Sequence, residues 1–277
     1  MKIAFWSPLH GTGTTLSLLA AGIAYGELKG KKIILTQTHY NLNNLERPLI
    51  GNIGEEDFFR DTGMDAVLRY FKSGNVTGEQ ISDCTIKVGN NLFLLAGTRN
   101  GNGEGYESTI VKNMILHIIS LVEQYYDLVL IDTNSGNNEY SLKIMEECDV
   151  VVVLLDQNMY MLDSFFGDDL FPDKKVFYLF ADYDPESKYN IRNLSHRYKK
   201  MNKDNTGKIL HSTQFTDAVC DERVLRYIKE NIDCDSNHAD HAFFEALRET
   251  VRKLDIFTEK ISGIGMLSGI KGGKQML

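Results

Sequence analysis

Short apolar runs alternate with longer segments of helical periodicity along most of the chain. The predicted strands cover 2–6, 32–37, 91–97, 127–132, 149–155, 175–181 and 208–212. The predicted helices cover about 14–28, 109–125, 216–231 and 238–254. Strands that are apolar nearly throughout, such as 127–132 and 149–155, are typical of a sheet covered on both faces. The pattern therefore predicts an α/β fold, a doubly wound and mostly parallel sheet with helices on both faces.

Composition and charge are those of an ordinary globular protein. The 277 residues, of which 43% are hydrophobic and 25% charged, fit one large domain. The net charge of −8 disfavours non-specific DNA binding, which depends on a basic face. The four cysteines show no paired spacing, and the longest apolar run, 150–155, is too short to cross a membrane. No secretory signal is visible, so we expect a cytoplasmic protein and leave a peripheral membrane contact open.

The stretch Leu9–Thr15, LHGTGTT, joins the first predicted strand to the first predicted helix. Glycines at such a turn let the backbone approach phosphate oxygens, and a helix N-terminus presents unpaired N–H groups to an anion. Gly11 and Gly13 fit this role, and Thr15 carries a hydroxyl that can reach Mg²⁺. The alternative is an ordinary glycine turn. The stretch contains no lysine or arginine, so a phosphate site here depends on backbone groups.

A second candidate element is YDLVLIDTNSG at 126–136. It places Asp132 at the carboxyl end of a predicted core strand, followed by a turn of small residues. Ligands of open parallel sheets bind at this edge, and a carboxylate there can hold the waters of a phosphate-bound Mg²⁺. The alternative is that Asp132 caps the following helix.

The order of these elements resembles the ParA/MinD family of deviant Walker-A ATPases, within the SIMIBI class of P-loop proteins, over about 1–255. LHGTGTT lies on the family's loop pattern K-G-G-x-G-K-T, and 126–136 lies on its second phosphate-side motif and switch II. Three further segments are similar to parts of the family pattern. Residues 31–46 resemble the second strand with switch I, 180–194 the adenine-pocket segment, and 212–228 the late loop with its helix.

The resemblance implies a P-loop NTPase architecture with ATP or ADP and Mg²⁺ as cofactors. It implies eight nucleotide-binding residues, two of which, Thr15 and Asp132, also serve Mg²⁺. The eight are Gly11, Thr12, Gly13, Thr14, Thr15, Asp132, Ala181 and Asp182.

Several charged residues of the family pattern are missing. Leu9 stands in place of the signature lysine that crosses to the partner's nucleotide, and Thr14 in place of the loop lysine that reaches the β and γ phosphates. Gln37 or His39 replaces the switch I aspartate that helps to position the attacking water, and Ala181 replaces an asparagine that reads adenine. A lost charge-assisted hydrogen bond costs about 1.5–3 kcal/mol, or about tenfold to a hundredfold in affinity. A lost preorganised catalytic group commonly costs about 10²–10³ in rate, so we assign no catalytic residue.

The predicted function is that of a degenerate ParA/MinD-like ATP-binding protein with little or no hydrolysis. It would recruit or position a partner assembly such as pilus, secretion or conjugation machinery, by analogy with the TadZ/CpaE group and its altered Walker-A loops. Two alternatives stay open: an active ParA-type DNA-partitioning ATPase, and a scaffold that binds no nucleotide.

The remaining predictions concern partners and the end of the chain. We expect a homodimer with the Leu9–Thr12 loop facing its mate, and a partner surface near 160–171. The basic stretch 192–203 is interpreted as a solvated helix face, with a phosphate, DNA or protein contact as alternatives. The nucleotide-binding domain is expected to cover 1–258. The tail 259–277 is predicted to be flexible or to contact a partner or a membrane. The glycines of this tail argue against a stable helix there.

Overall fold

The structure is a computed structural model and describes residues 1–39, 44–51, 61–74, 76–98, 109–168 and 170–271. For 109–111 and 264–271 it describes the backbone alone. The strands are β1 Lys2–Trp6, β2 Ile33–Gln37, β3 Ile86–Lys87, β4 Leu92–Leu95, β5 Leu128–Asp132, β6 Val150–Leu155, β7 Lys175–Tyr183 and β8 Thr206–Leu210. The helices are α1 Thr14–Lys29, α2 Glu46–Ile50, α3 Gly63–Ser73, α4 Gly78–Asp83, α5 Thr109–Val122, α6 Glu139–Glu147, α7 Met159–Gly167, α8 Ile191–Arg197, α9 Thr213–Cys220, α10 Val224–Asn231 and α11 His241–Lys271.

The strands form one sheet in the order β3-β4-β2-β5-β1-β6-β7-β8. Only β3 pairs antiparallel among these strands, with β4, and the other pairs are parallel. Phe5 of β1 and Gln37 of β2 both pair with Asp132 of β5. The carboxyl ends of these three strands therefore meet at one edge, where parallel sheets bind ligands. The predicted doubly wound, mostly parallel sheet is confirmed.

Both faces of the sheet are covered by apolar side chains. Along β1, Ala4 and Trp6 belong to one buried cluster, whereas Ile3 and Phe5 belong to the other. Alternate residues of a strand point to opposite faces, so a strand that is buried throughout must have a core on each side. Helix α1 packs in the second cluster, and α5, α6 and α7 pack in the first.

The structure differs from the predicted elements in several places. The helix predicted over 216–231 is two helices, α9 and α10, separated by a turn in which Glu222 has a positive φ of 59°. The turn lets both helices bury apolar residues in the core around α1, including Phe215 of α9 and Ile228 of α10. Helices α2, α3 and α4 lie between the predicted strands 32–37 and 91–97, where no element is predicted, although α4 begins with a capping box of Thr77 and Gln80. Strand β3 has only two residues, too few for a periodic signal.

The last helix, α11, begins at His241 and continues to Lys271, past the predicted boundary at 258/259. The backbone is thus helical through Gly263, Gly265 and Gly269, where the glycine content had argued against a helix. Its first half is amphipathic, and Phe244, Leu247 and Val251 are buried in the cluster that contains α1. A helix already held by this packing can extend past unfavourable residues, because elongation is less costly than nucleation.

A buried carboxylate joins α11 to the end of α1. Asp255 accepts hydrogen bonds from the Tyr25 hydroxyl and from Lys31 Nζ at 2.6 Å, and forms an ion pair with Lys29 Nζ at 3.0 Å. Burial by itself raises the pKa of Asp255, but the hydrogen bonds from Lys31, Tyr25 and Lys29 outweigh it and leave the pKa below its ordinary value. The folded protein therefore favours the ionised form of Asp255.

Replacement Asp255→Asn is expected to lower the free energy of unfolding at pH 7 by about 2 kcal/mol, because two partly buried lysines lose their partner. A depressed folded-state pKa gives stability that is complete above the unfolded-state pKa of about 4 and is lost as pH falls through the folded-state value. Thermal melts between pH 3 and 7 should therefore show a smaller loss of stability at acid pH in Asp255→Asn than in the wild type.

The control for Asp255→Asn is Glu259→Gln, since Glu259 is exposed and its contact with Lys31 is 3.4 Å. Equal acid dependence of Asp255→Asn and the wild type would contradict this role.

Candidate functional site

The loop between β1 and α1 lies at the carboxyl edge of the sheet. Gly11 and Gly13 have φ of 82° and 81°, a left-handed conformation that glycine adopts without strain. Gly13 is the N-cap of α1, and its carbonyl accepts the first helical hydrogen bond, from Ser17 N at 2.9 Å. Thr12 Oγ1 donates back to the Leu9 carbonyl at 3.1 Å. The loop thus brings the first turn of α1 to the carboxyl edge of the sheet, where the sequence predicts an anion site.

Asp132 is completely buried at the end of β5 and faces this loop. Thr15 Oγ1 donates to Asp132 Oδ2 at 2.6 Å, so the two residues predicted to serve Mg²⁺ are brought together. The register is fixed by backbone bonds, from Thr133 N to the Phe5 carbonyl at 3.1 Å and from Thr38 N to the Asp132 carbonyl at 2.9 Å. Asp132 therefore belongs to the loop site and does not cap α6, whose N-cap is Asn138.

His39, two residues after the end of β2, lies at the site, whereas Gln37, the last residue of β2, is buried against Glu46. His39 Nε2 lies 3.4 Å from Asp132 Oδ2, and His39 Nδ1 forms a hydrogen bond with Asn134 Oδ1. Burial lowers the pKa of His39, but the hydrogen bond and charge of Asp132 outweigh it, so the pKa is raised. Gln37 is buried, and its amide donates to both carboxylate oxygens of Glu46 at 2.8 Å. Of the two positions considered for switch I, His39 lies at the site and Gln37 does not.

Two cavities meet at the loop. The larger, about 770 Å³, is lined by Gly11, Gly13 and Thr15 together with His39 and Asn134. The smaller, about 380 Å³, is also lined by Gly11 and Gly13. A ligand that spans both cavities would pass directly over the two glycines.

The smaller cavity contains the predicted adenine-side residues. Thr12, Ala181 and Asp182 line it, which brings residues from β7 next to the loop. Asp182 has a positive φ of 49°, and its carboxylate forms a hydrogen bond of 2.7 Å with His211 Nδ1. Ala181 offers no polar side chain, so recognition of a base here would depend on backbone groups and on neighbours such as Asp182.

Sequence reasoning missed Arg47 and Glu222. Arg47 lies on α2 and lines the larger cavity. Glu222, in the turn between α9 and α10, accepts a hydrogen bond from Arg47 Nε at 2.9 Å. Glu222 lies within the family-like segment 212–228 but carries no motif position there, and Arg47 directly follows the segment 31–46. Their approach depends on how α2 packs against α10.

The donor set at Asp132 fits Mg²⁺. Asp132 Oδ1 is buried and has no hydrogen-bond partner among the residues that the structure describes. A buried carboxylate oxygen without a partner is costly, and a hard cation that prefers oxygen ligands would satisfy it. Thr15 Oγ1 and Asp132 would hold the ion directly or through its waters. The chemistry supplied there would be neutralisation of phosphate charge, and the backbone N–H groups of the loop glycines would hold the phosphate.

Comparison with solved structures shows the same architecture at low sequence identity. No family model matches the sequence, and no curated protein matches it. The chain is similar to a ParA family ATPase from Chlorobium tepidum, with a TM-score of 0.68, 10% identity, and coverage of 90% of this chain and 98% of that chain. It is similar to the septum site-determining protein MinD from Pyrococcus horikoshii complexed with Mg-ADP, with a TM-score of 0.68, 17% identity and coverage of 95% and 97%. The MinC:MinD cell division complex from Aquifex aeolicus gives a TM-score of 0.64, 16% identity and coverage of 91% and 94%.

The chain has the ParA/MinD fold. The resemblance inferred from the order of the motifs is thereby confirmed at the level of architecture. Leu9 and Thr14, the two positions where the ParA/MinD pattern has lysine, differ in their exposure to solvent. Leu9 is 47% exposed and lines neither cavity, whereas Thr14 is buried and lines the larger one.

The basic stretch 192–203 lies outside the two cavities. In the basic stretch 192–203, helix α8 ends at Arg197, whose guanidinium donates to both carboxylate oxygens of Asp163 at 2.8 and 2.9 Å.

Across the described part of the chain, no group of histidine, cysteine and acidic residues is arranged to hold a metal ion by protein ligands alone. In the same part, no helix is both long and apolar enough to span a membrane.

Proposed function

We propose that this chain binds ATP or ADP with Mg²⁺ across the two cavities. The observation that carries the proposal is Asp132, a fully buried carboxylate that holds the Thr15 hydroxyl and leaves one oxygen without a described partner, beside a glycine loop open to phosphate. The triphosphate would lie over Gly11 and Gly13, and the base would occupy the cavity lined by Ala181 and Asp182. The relative from Pyrococcus horikoshii, complexed with Mg-ADP, supports this assignment.

We further propose that the site binds nucleotide with little or no hydrolysis. The loop from Leu9 to Thr15 brings no positive charge to the phosphates. Gln37 is directed into a buried contact with Glu46, and Glu46 is also held by Gly97 N at 2.7 Å. Phosphoryl transfer depends on positioning and electrostatic stabilisation, so this arrangement favours occupancy over turnover.

The proposed role is to recruit or position a partner assembly as a homodimer, in the cytoplasm and with a peripheral membrane contact through 259–277. Leu9, in the loop, and Leu16, directly after it, are exposed, which supports a dimer held by apolar contacts there. Tyr160, at the start of α7, is 89% exposed, and Leu170 is also exposed, which supports a partner surface at 160–171. The Aquifex aeolicus MinD relative forms a complex with MinC, a precedent for partner binding by this fold.

Millimolar ATP with Mg²⁺ is expected to raise the melting temperature, because a ligand that binds only the folded state stabilises it by mass action. At a concentration of about one hundred times Kd the gain is about 2.7 kcal/mol. Phosphate release from the same mixture should stay near the uncatalysed background. Absence of both a melting shift and a calorimetric signal would favour the nucleotide-free scaffold. Turnover abolished by Asp132→Ala would instead show an active ATPase.

A further inference from the structure

The nucleotide site contains a positive charge that comes from outside the loop. Among the described residues that line the two cavities, Arg47 is the only lysine or arginine. It reaches the larger cavity, the one that also contains Thr15 and His39, and not the cavity lined by Ala181 and Asp182. Its charge is therefore placed at the phosphate end of the site.

The backbone that carries Arg47 is held in place while its side chain stays accessible. The preceding residue, Glu46, is buried and accepts hydrogen bonds from Gln37 Nε2 and Gly97 N. Leu49, two residues later, is buried in the core cluster of α1. The Arg47 side chain is 66% exposed. The guanidinium can thus change partners without moving α2.

The present partner of Arg47 is one that a phosphate can replace. Arg47 Nε donates to Glu222 Oε1 at 2.9 Å, and such exposed ion pairs contribute little to stability. A terminal phosphate carries more negative charge than a carboxylate and offers several oxygens to a planar guanidinium. The exchange of Glu222 for phosphate is therefore favourable once a nucleotide occupies the loop.

We propose that Arg47 binds the terminal phosphates of the nucleotide and replaces the charge that the loop lacks. This inference rests on the proposed function, nucleotide binding at the loop. When nucleotide binds, the guanidinium leaves Glu222 and donates to phosphate oxygens, while the backbone of Gly11 and Gly13 holds the remaining phosphate oxygens. Arg47 is then a specificity-determining residue, because it distinguishes nucleotides with terminal phosphates from AMP.

The test compares the binding of MgATP and of AMP to variants by isothermal titration calorimetry. Arg47→Gln is expected to weaken MgATP about tenfold to a hundredfold, the effect of one lost charge-assisted hydrogen bond, and to leave AMP affinity within about twofold. Arg47→Lys should retain part of the MgATP affinity. Arg226→Gln is the matched control, since Arg226 Nε forms a comparable exposed bond of 2.8 Å with Glu230 and lines neither cavity. It should bind like the wild type.

The outcomes separate this inference from the proposed function. Wild-type protein that binds no nucleotide would contradict both. Wild-type protein that binds MgATP, with Arg47→Gln binding it equally well, would overturn the role of Arg47 alone. Glu222→Gln frees Arg47 and should bind MgATP at least as tightly as the wild type. A loss of MgATP affinity in Glu222→Gln would overturn the exchange, because the intact ion pair would then be needed.

Discussion

Gly13→Ala is expected to weaken binding of MgATP at least tenfold, about 1.4 kcal/mol. Gly13 adopts a φ of 81° and lines both cavities, so a methyl group there would stand where the two cavities join. The backbone must approach phosphate oxygens closely for its N–H groups to bind them, and the methyl group prevents this approach. The measurement is calorimetric titration with MgATP.

The matched control for Gly13→Ala is Gly30→Ala. Gly30 is the C-cap of the same helix, has a φ of 63°, and a methyl group there would contact nothing within 4 Å. Both substitutions place alanine in a left-handed conformation, which costs about 1–2 kcal/mol of stability. Both variants should therefore melt at a lower temperature, and only Gly13→Ala should lose affinity for MgATP. Equal affinity in the two variants would show that nucleotide does not lie over this loop.

Asp132→Asn is expected to abolish the contribution of Mg²⁺ to ATP binding. The wild type should bind ATP at least tenfold more tightly with Mg²⁺ than with EDTA, because the ion joins the phosphate to the Asp132 carboxylate. Asparagine keeps an oxygen that accepts the hydrogen bond of Thr15 but removes the charge, so the ratio of the two affinities should fall close to one. The measurement is a pair of calorimetric titrations for each protein.

Asp127→Asn provides the comparison for Asp132→Asn. Asp127 immediately precedes β5, at the opposite end from Asp132, and its carboxylate accepts a hydrogen bond from Lys32 N at 2.7 Å. An asparagine there can also keep the hydrogen bond, so the local perturbation is similar but distant from the loop. The Mg²⁺ effect should be preserved in Asp127→Asn. An undiminished Mg²⁺ effect in Asp132→Asn would mean that other groups hold the ion.

The proposed function weighs binding against chemistry at a loop that contains no lysine. The backbone of the glycine loop and the Thr15–Asp132 pair remain, and these groups suit a bound nucleotide with its ion. Arg47, the proposed replacement charge, lies on α2 and donates a hydrogen bond to Glu222. A charge that must leave another partner is less preorganised than a lysine within the loop, and preorganisation matters more for turnover than for binding. The proposed function follows from this difference.

The sequence alone determined the type of sheet, doubly wound and mostly parallel, and the position of the loop, whereas the strand order came from the structure. Strands such as β5 and β6 are apolar on both faces, and this local property predicts a covered parallel sheet whatever the distant contacts are. Gly11, Gly13, Thr15 and Asp132 were predicted because strand ends and glycine turns identify the ligand-binding edge by geometry. Ala181 and Asp182 were predicted from the resemblance, and the structure brings them to the same loop.

Only the tertiary structure decided which side chains enter the site. Gln37 and His39 are separated by a single residue, and burial against Glu46 directs Gln37 into the interior while His39 contacts Asp132. The split of 216–231 into α9 and α10 creates the turn that brings Glu222 to Arg47. Such contacts join positions up to 175 residues apart, and no local periodicity encodes them. They follow from the packing of helices against one shared core, which exists only after the whole sheet has formed.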